Sequence, residues 1–270
     1  MSAETGLVLV LVPGGTFLMG SQLDDPDGAN YDPMARTTEG PVHGVTLDAF
    51  FISKFEMTQA QWARLSGDNP SQWGPDVYDA RWNAAGEEWS GLHPIENVSW
   101  YTATTLLARA GLELPTESQW EYAARAGTTT PWYTGPDRQT LIGHANLNDE
   151  FSRVTGNGYR WSPYDTWLDD GQTVHAAVGS FAPNPFGLHD VHGNVWEWCQ
   201  DFGGRYVLEI VDASGRRGVS TPARLNRVYR GGSFINQASE ARSAYREDFT
   251  PIFQTHSLGV RPARAIASGE

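Results

Sequence analysis

Asp190 and Glu197 are two carboxylates on either side of a tight Gly-Asn turn, in the run Gly187-Leu-His-Asp-Val-His-Gly-Asn-Val-Trp-Glu-Trp198. On a strand Trp196 and Trp198 share one face and Glu197 points to the other. A carboxylate held among large apolar rings needs a compensating charge, because an unpaired buried charge is costly. Two partners are open to it. One is an arginine. The other is a cation shared with Asp190 and with backbone carbonyls of the turn, the hard-oxygen mixture that suits calcium. His189 and His192 flank Asp190 and offer imidazoles to a metal, although such a pair is more often hydrogen-bonded structure.

Other chemistry is thinly represented. Ser233 in Gly231-Gly-Ser233 has no neighbouring base, and the glycines there are explained by backbone geometry. No phosphate-binding glycine loop is present. The single cysteine, Cys199, rules out an internal disulfide and a cysteine-rich zinc site, and reads as a small buried residue.

The elements that must position these groups are short. Leu7–Val12 and Thr16–Met19 read as a hairpin turning at Pro13-Gly14-Gly15, and Val45–Ile52 as a third strand. Thr58 and Thr116 each precede a Gln at the third helical position, predicting capping boxes and helices that stop at Gly67 and Gly127. Ser99 caps a helix carrying Trp100, Ala103, Leu107 and Ala110. Loops hold Trp73, Trp82 and Trp89, and residues 128–185 show no sustained period. Arg227–Arg230 reads as a strand entering the glycine corner, and Leu258–Arg261 as the closing strand.

With 29 glycines, 16 prolines and 40% hydrophobic residues, including eleven tryptophans, the chain should fold around a large core with little regular structure. A net charge of −13 excludes nucleic acid as a partner and disfavours anionic membranes. Leu7–Val12 is too short for a signal peptide or a span, and no basic segment precedes it. A cytoplasmic protein is expected. The preference for arginine over the single lysine, Lys54, fits a GC-rich bacterial genome.

Taken in order, Pro13–Gly20, Phe55–Thr58, His93–Trp100, Leu114–Arg125, Gly193–Trp198, Arg230–Ser233 and Leu258–Arg261 resemble the formylglycine-generating enzyme, or sulfatase-modifying factor, family. The resemblance spans residues 6–264 and implies one domain over 1–270. The implied fold is α+β, the C-type-lectin-like fold of that family. It also implies two structural calcium sites. One would use Asp190, the carbonyls of Gly193 and Val195, and Glu197. The other would use Asn146, the carbonyl of Leu147, Asp170 and the carbonyl of Gln172.

The same resemblance marks a departure. The copper-binding, cysteine-oxidising members carry two cysteines just after the Gly-Gly-Ser corner, where this chain has Asn236 and Ala241. The sulfoxide synthases related to them take iron on an added helical domain, and this chain shows no such segment. A binding role for residues 234–257 is therefore expected. Phe234, Asn236, Gln237, Ser239, Glu240, Tyr245, Glu247, Asp248, Phe249, Phe253, Thr255 and His256 mix rings with short polar and acidic groups, as recognition surfaces do. Tyr245 and His256 are expected to be exposed, and Phe249, Ile252 and Phe253 could equally be core. The segment is similar to the variable region of retroelement-diversified proteins of this fold. The ligand would be a protein or a small molecule. The alternative is a divergent metal-dependent oxidoreductase.

Overall fold

The structure is a computed structural model that describes residues 6–75, 88–155, 163–206 and 225–266. Trp82 lies outside the described residues. Among the described residues, nine short strands and four α-helices are joined by irregular segments.

The expected hairpin does not form. β1 (Leu9–Val12) pairs with β4 (Phe50–Ser53), and β2 (Gly15–Met19) pairs with β3 (His43–Leu47), both antiparallel. The register runs unbroken through both pairs, with Val12 opposite Phe50 and Gly15 opposite Leu47. The two stretches thus make one long ribbon that bends where Pro13-Gly14 meets Asp48-Ala49. Proline offers no N–H to a ladder there. A Cβ on Gly14 would sit 2.9 Å from both the Ala49 nitrogen and the Leu47 oxygen, so the corner closes only around glycine. The expected strand over 45–52 is divided by the same bend.

β9 (Ala263–Ala265) extends this ribbon beside β4. It, and not the Leu258 segment, is the closing strand. β8 (Leu258–Gly259) instead joins the second sheet, whose order is β7 (Arg246–Phe249), β6 (Arg227–Arg230), β5 (Trp196–Phe202), β8. The β5–β8 pair is parallel and the others antiparallel.

Three helices start where capping chemistry directs. Thr58 and Thr116 form complete capping boxes ahead of α1 (Gln59–Ser66) and α3 (Glu117–Arg125), and the Ser99 side chain caps α2 (Trp100–Arg109). α4 (Glu150–Thr155) is a short helix inside the irregular region. α3 is the structural centre: of its nine residues only Tyr122 is not buried. Its Trp120, Ala123 and Ala124 pack with Val12, Val45, Phe50, Leu188 and Cys199 in one core, while Trp62, Leu107, Trp196, Trp198 and Leu258 form a second. Because Thr116 is fully buried, Thr116→Ala should destabilise the domain by about 1–2 kcal/mol. Its urea midpoint should fall while the slope stays unchanged.

Among the described residues no helix is long and apolar enough to cross a membrane.

Candidate metal centre and ligand-facing segment

A helix buried on nearly every side cannot carry charge without partners. α3 carries Glu117, Glu121 and Arg125, and the arginines of the second sheet answer them. Arg230 Nη2 donates to Glu121 at 2.6 Å and Nη1 to Glu117 at 3.2 Å. Arg246 holds Glu117 through Nε and Nη2 at 2.6 and 2.7 Å. Burial opposes ionisation of Glu121, but the Arg125 and Arg230 guanidinium groups outweigh it and hold its carboxyl below the usual range. Arg230 also donates to the carbonyls of Ser243 and Ala244, and Arg242 to Glu39 and Asp32. These links fasten the segment after the glycine corner to α3 on one side and to the 30–40 loop on the other.

Glu197 has the arginine partner. Arg261 contacts it with Nε at 2.9 and 3.0 Å and Nη2 at 2.7 Å, and Trp120 Nε1 donates to it at 2.6 Å. Both carboxylate oxygens are engaged, which leaves Glu197 poorly placed as a calcium ligand. Around it lie Glu56, which accepts from the Val195 N–H, and Asp190, which accepts from the Gly179 N–H. Burial pushes the Asp190 carboxyl up to about 6 and Glu56 well above its ordinary value. One oxygen of Asp190, Oδ1, is buried without a partner.

In the second expected ligand set, Asp170 accepts from the Leu147 N–H and the Gln172 N–H, each at 2.9 Å, which brings residues 147, 170 and 172 together in the irregular region. Asn146 donates through Nδ2 to the Val174 carbonyl, while its Oδ1 is buried with no partner. Burial, then the nearby Asp149, raises the Asp170 carboxyl well above its ordinary value. The turn meets this set directly. Gly193 has φ +85, and its missing Cβ leaves room for the Asn146 carbonyl, which accepts from the Asn194 N–H. Among the described residues no three His, Cys, Asp or Glu side chains converge on a metal. Any cation here would depend on amide and carbonyl oxygens beside Asp170.

His189 and His192 do not form a pair of ligands. His189 Nδ1 bonds the Phe181 carbonyl, and His192 is fully buried, stacked on Tyr133 and bonded to the Tyr133 N–H.

The 234–257 segment divides into anchored and open positions. Phe234 and Tyr245 are buried at 1% exposure, so neither is open as expected, the Tyr245 ring lying beneath Arg36. Phe234 packs with Trp73, Trp89 and Val174. Tyr245 packs against Trp196 and lies under the Arg36 guanidinium, 4.5 Å from the ring centre. Asn236, Gln237, Ser239, Glu240, Glu247, Asp248, Phe253, Thr255 and His256 are half-buried, and Phe249 and Ile252 are exposed. His256 is thus less open than expected, packed edge-on to Trp73. Between β7 and the 35–38 loop lies a cleft of about 640 Å³ lined by Arg36, Thr38, Arg205, Arg246, Glu247 and Asp248.

A further cluster had no individual sequence signal. His93 and His175 face each other with Nδ1 atoms 3.1 Å apart, and His175 Nε2 lies 3.8 Å from Glu96. Burial pushes Glu96 up to about 8 and both histidines down to about 4. The hint available was an acid in the apolar run His93–Trp100, comparable to Glu56 in Phe55–Thr58.

The sequence matches the sulfatase-modifying factor enzyme 1-like domain over residues 2–266. The chain belongs to that family. A formylglycine-generating enzyme of Streptomyces coelicolor is 32% identical over 296 residues, covering 94% of this chain and 88% of the relative. A protein of Bos taurus named inactive Cα-formylglycine-generating enzyme 2 is 29% identical, covering 94% and 87%. Among solved structures, Treponema denticola variable protein 1 superposes with a TM-score of 0.71 at 22% identity, covering 97% of both chains. PvdO from Pseudomonas aeruginosa also gives 0.71 at 22%, covering 98% of this chain and all of the other. The mixed sheets and sparse helices are those of a sulfatase-modifying-factor-like α+β domain with C-type-lectin-like relatives.

Within a sulfatase-modifying-factor-like domain, the surroundings of Asn236 and Ala241 matter most. Asn236 Oδ1 accepts from Ser233 Oγ at 2.5 Å and from Trp196 Nε1 at 2.9 Å, and its Nδ2 donates to Glu240 at 3.0 Å. Ala241 is fully buried, and a Cβ on Gly232 would lie 2.8 Å from the Ala241 methyl. Cys199 sits in β5 with no exposure, and burial drives its thiol well above the ordinary range, the opposite of an activated nucleophile.

Proposed function

We propose that this chain is a non-catalytic binding domain, stabilised by calcium, that presents the open positions of its 234–257 segment to a protein or small-molecule ligand. The observation that carries this reading is the state of Asn236. It is closed into a hydrogen-bonded set with Ser233, Trp196 and Glu240, where the cysteine-oxidising members need a thiolate. The copper of those members sits on a thiolate pair, the soft ligands that select Cu(I), and the one thiol of this chain is sealed in the core. That relatives of similar identity include one named inactive accords with this.

For calcium, the fit is better at the Asn146 set than at the turn. Asn146 Oδ1, the carbonyls of Leu147 and Gln172, and Asp170 would hold the ion. It would supply positive charge where a buried carboxylate meets only N–H groups, and so fix the 146–172 region. At the turn, Glu197 is already neutralised by Arg261, leaving Asp190 and the carbonyls of Gly193 and Val195. The binding surface itself needs no metal chemistry. Half-buried acids, amides and exposed rings on a framework fixed by arginines supply contact area at little ordering cost.

Elemental mass spectrometry of the purified chain should find calcium, and chelation should lower the melting temperature. Asp170→Asn should reduce both the calcium content and the effect of the chelator. Incubation with copper and a cysteine-containing sulfatase-type peptide should leave the peptide thiol unchanged. Conversion to the aldehyde would overturn the binding reading in favour of an oxidoreductase.

A further inference from the structure

We propose that the Tyr245–Glu247 corner bordering the cleft between the 35–38 loop and β7 receives a guanidinium group of the ligand, in the place that Arg36 now fills. This rests on the binding-domain reading and names the chemistry of its surface. Arg36 is the guide. Its guanidinium lies 4.5 Å above the Tyr245 ring, and its Nη1 is 3.1 Å from Glu247 Oε1. A flat aromatic floor and one carboxylate at its edge are the two elements that select a planar cation.

The subsite is fixed without Arg36. The Tyr245 hydroxyl donates to Glu247 at 2.6 Å, which aims the carboxylate, and the Arg242 guanidinium also packs on this ring, 5.3 Å from its centre. Arg242 is itself held by Glu39 and Asp32, so floor and loop keep their spacing whichever cation lies between them. Arg36, by contrast, is loosely placed. Its side chain is 53% exposed and that of Glu247 is 40% exposed, and ion pairs so open to water are weak. A ligand cation can displace it. The cleft of about 640 Å³ has room for more than one side chain, and Leu23 in its wall offers apolar cover to an alkyl stem. Of the other charges, Arg246 is committed to Glu117, and Asp248 accepts from Asn226 Nδ2 at 2.6 Å. With Arg36 swung out, Glu247 and Asp248 lie in a domain already strongly acidic. Arg36 thus occupies the subsite from within, and the apparent affinity for a ligand is lowered by the fraction of time it does so.

The test is agmatine binding by calorimetry to the full chain and to Arg36→Ala, with N-carbamoylputrescine, in which a neutral urea replaces the guanidinium, and cadaverine, in which an ammonium replaces it. Arg36→Ala should bind agmatine about tenfold more tightly than the wild type. Adding Glu247→Gln should remove that gain, and the urea isostere should show no gain in Arg36→Ala. Arg36 is exposed and Glu247 half-buried, and unchanged thermal unfolding will show that the variants fold. Absence of a gain in Arg36→Ala, or equal binding of the isostere, overturns the proposal. Cadaverine binding as tightly as agmatine overturns the guanidinium assignment. None of these results touches the calcium and peptide-conversion measurements, which decide the binding-domain reading separately.

Discussion

Arg230→Met should cost the domain about 3–5 kcal/mol, because it leaves Glu117 and Glu121 buried with one fewer counter-charge. Arg230 is fully buried and bridges these two carboxylates to the Ser243 and Ala244 carbonyls. Four acceptors would lose their donor together. Domains of this size have about 5–15 kcal/mol in hand, so the variant should be marginal at room temperature. Denaturant unfolding gives the number. The cause is separable from simple loss of packing: Glu121→Gln placed on the Arg230→Met background should recover part of the stability, since it removes one of the two carboxylates left with too little counter-charge. If the double variant were less stable than Arg230→Met, uncompensated charge would not be the reason.

Glu96→Gln should change how stability depends on pH. Below about pH 4.5 Glu96 is protonated in both the folded and the unfolded chain. As pH rises from there to about 8, the unfolded chain releases the proton and the folded chain, whose carboxyl is pushed up to about 8 by burial, retains it. Stability therefore falls across that window and levels off above it. His93 and His175, held down to about 4 by burial, act in the opposite sense. Their contribution is present above the unfolded value near 6.5 and is lost as pH falls through about 4. The histidine slope is therefore finished by pH 6.5, and between 6.5 and 8 the Glu96 slope is unopposed by them. Across that interval the wild type should lose on the order of 2 kcal/mol relative to Glu96→Gln, at about 1.4 kcal/mol per pH unit. Urea unfolding of both proteins at the two pH values measures it. Parallel profiles would mean that Glu96 is ionised in the fold.

Both variants concern contacts the sequence could not show. What was legible was local. Thr58, Ser99 and Thr116 announced their helices because a cap and its N–H partner lie within one turn. The apolar stretches 7–12, 16–19 and 45–52 were recognisable as strands, but their partners were not. Alternation marks a face to be buried and carries no address, so the nearby turn at Pro13 suggested a hairpin where the real partners lie beyond residue 42. The same limit applied to charge. Glu197 among tryptophans plainly needed a partner, yet nothing in its neighbourhood pointed to Arg261 over a calcium ion. Glu56, Glu96 and Arg36 were missed altogether, since a single charged residue has no period or motif of its own. The fold was recognisable only through several short motifs occurring in order. In the candidate surface, ring-rich composition could not separate Tyr245, which forms a floor, from Phe249, which faces solvent.

The division of the 234–257 segment also bears on how such a domain can evolve. Arg242 and Arg246 fasten the segment to the 30–40 loop and to α3, and Phe234 and Ala241 are core. Gln237, Ser239, Phe249, Ile252 and Gln254 are half-buried or exposed between these anchors and carry none of the buried ion pairs. Mutation at those positions is largely decoupled from folding. Side chains can therefore be exchanged there without first acquiring compensating changes elsewhere, whereas exchange of the arginines between them would break buried ion pairs.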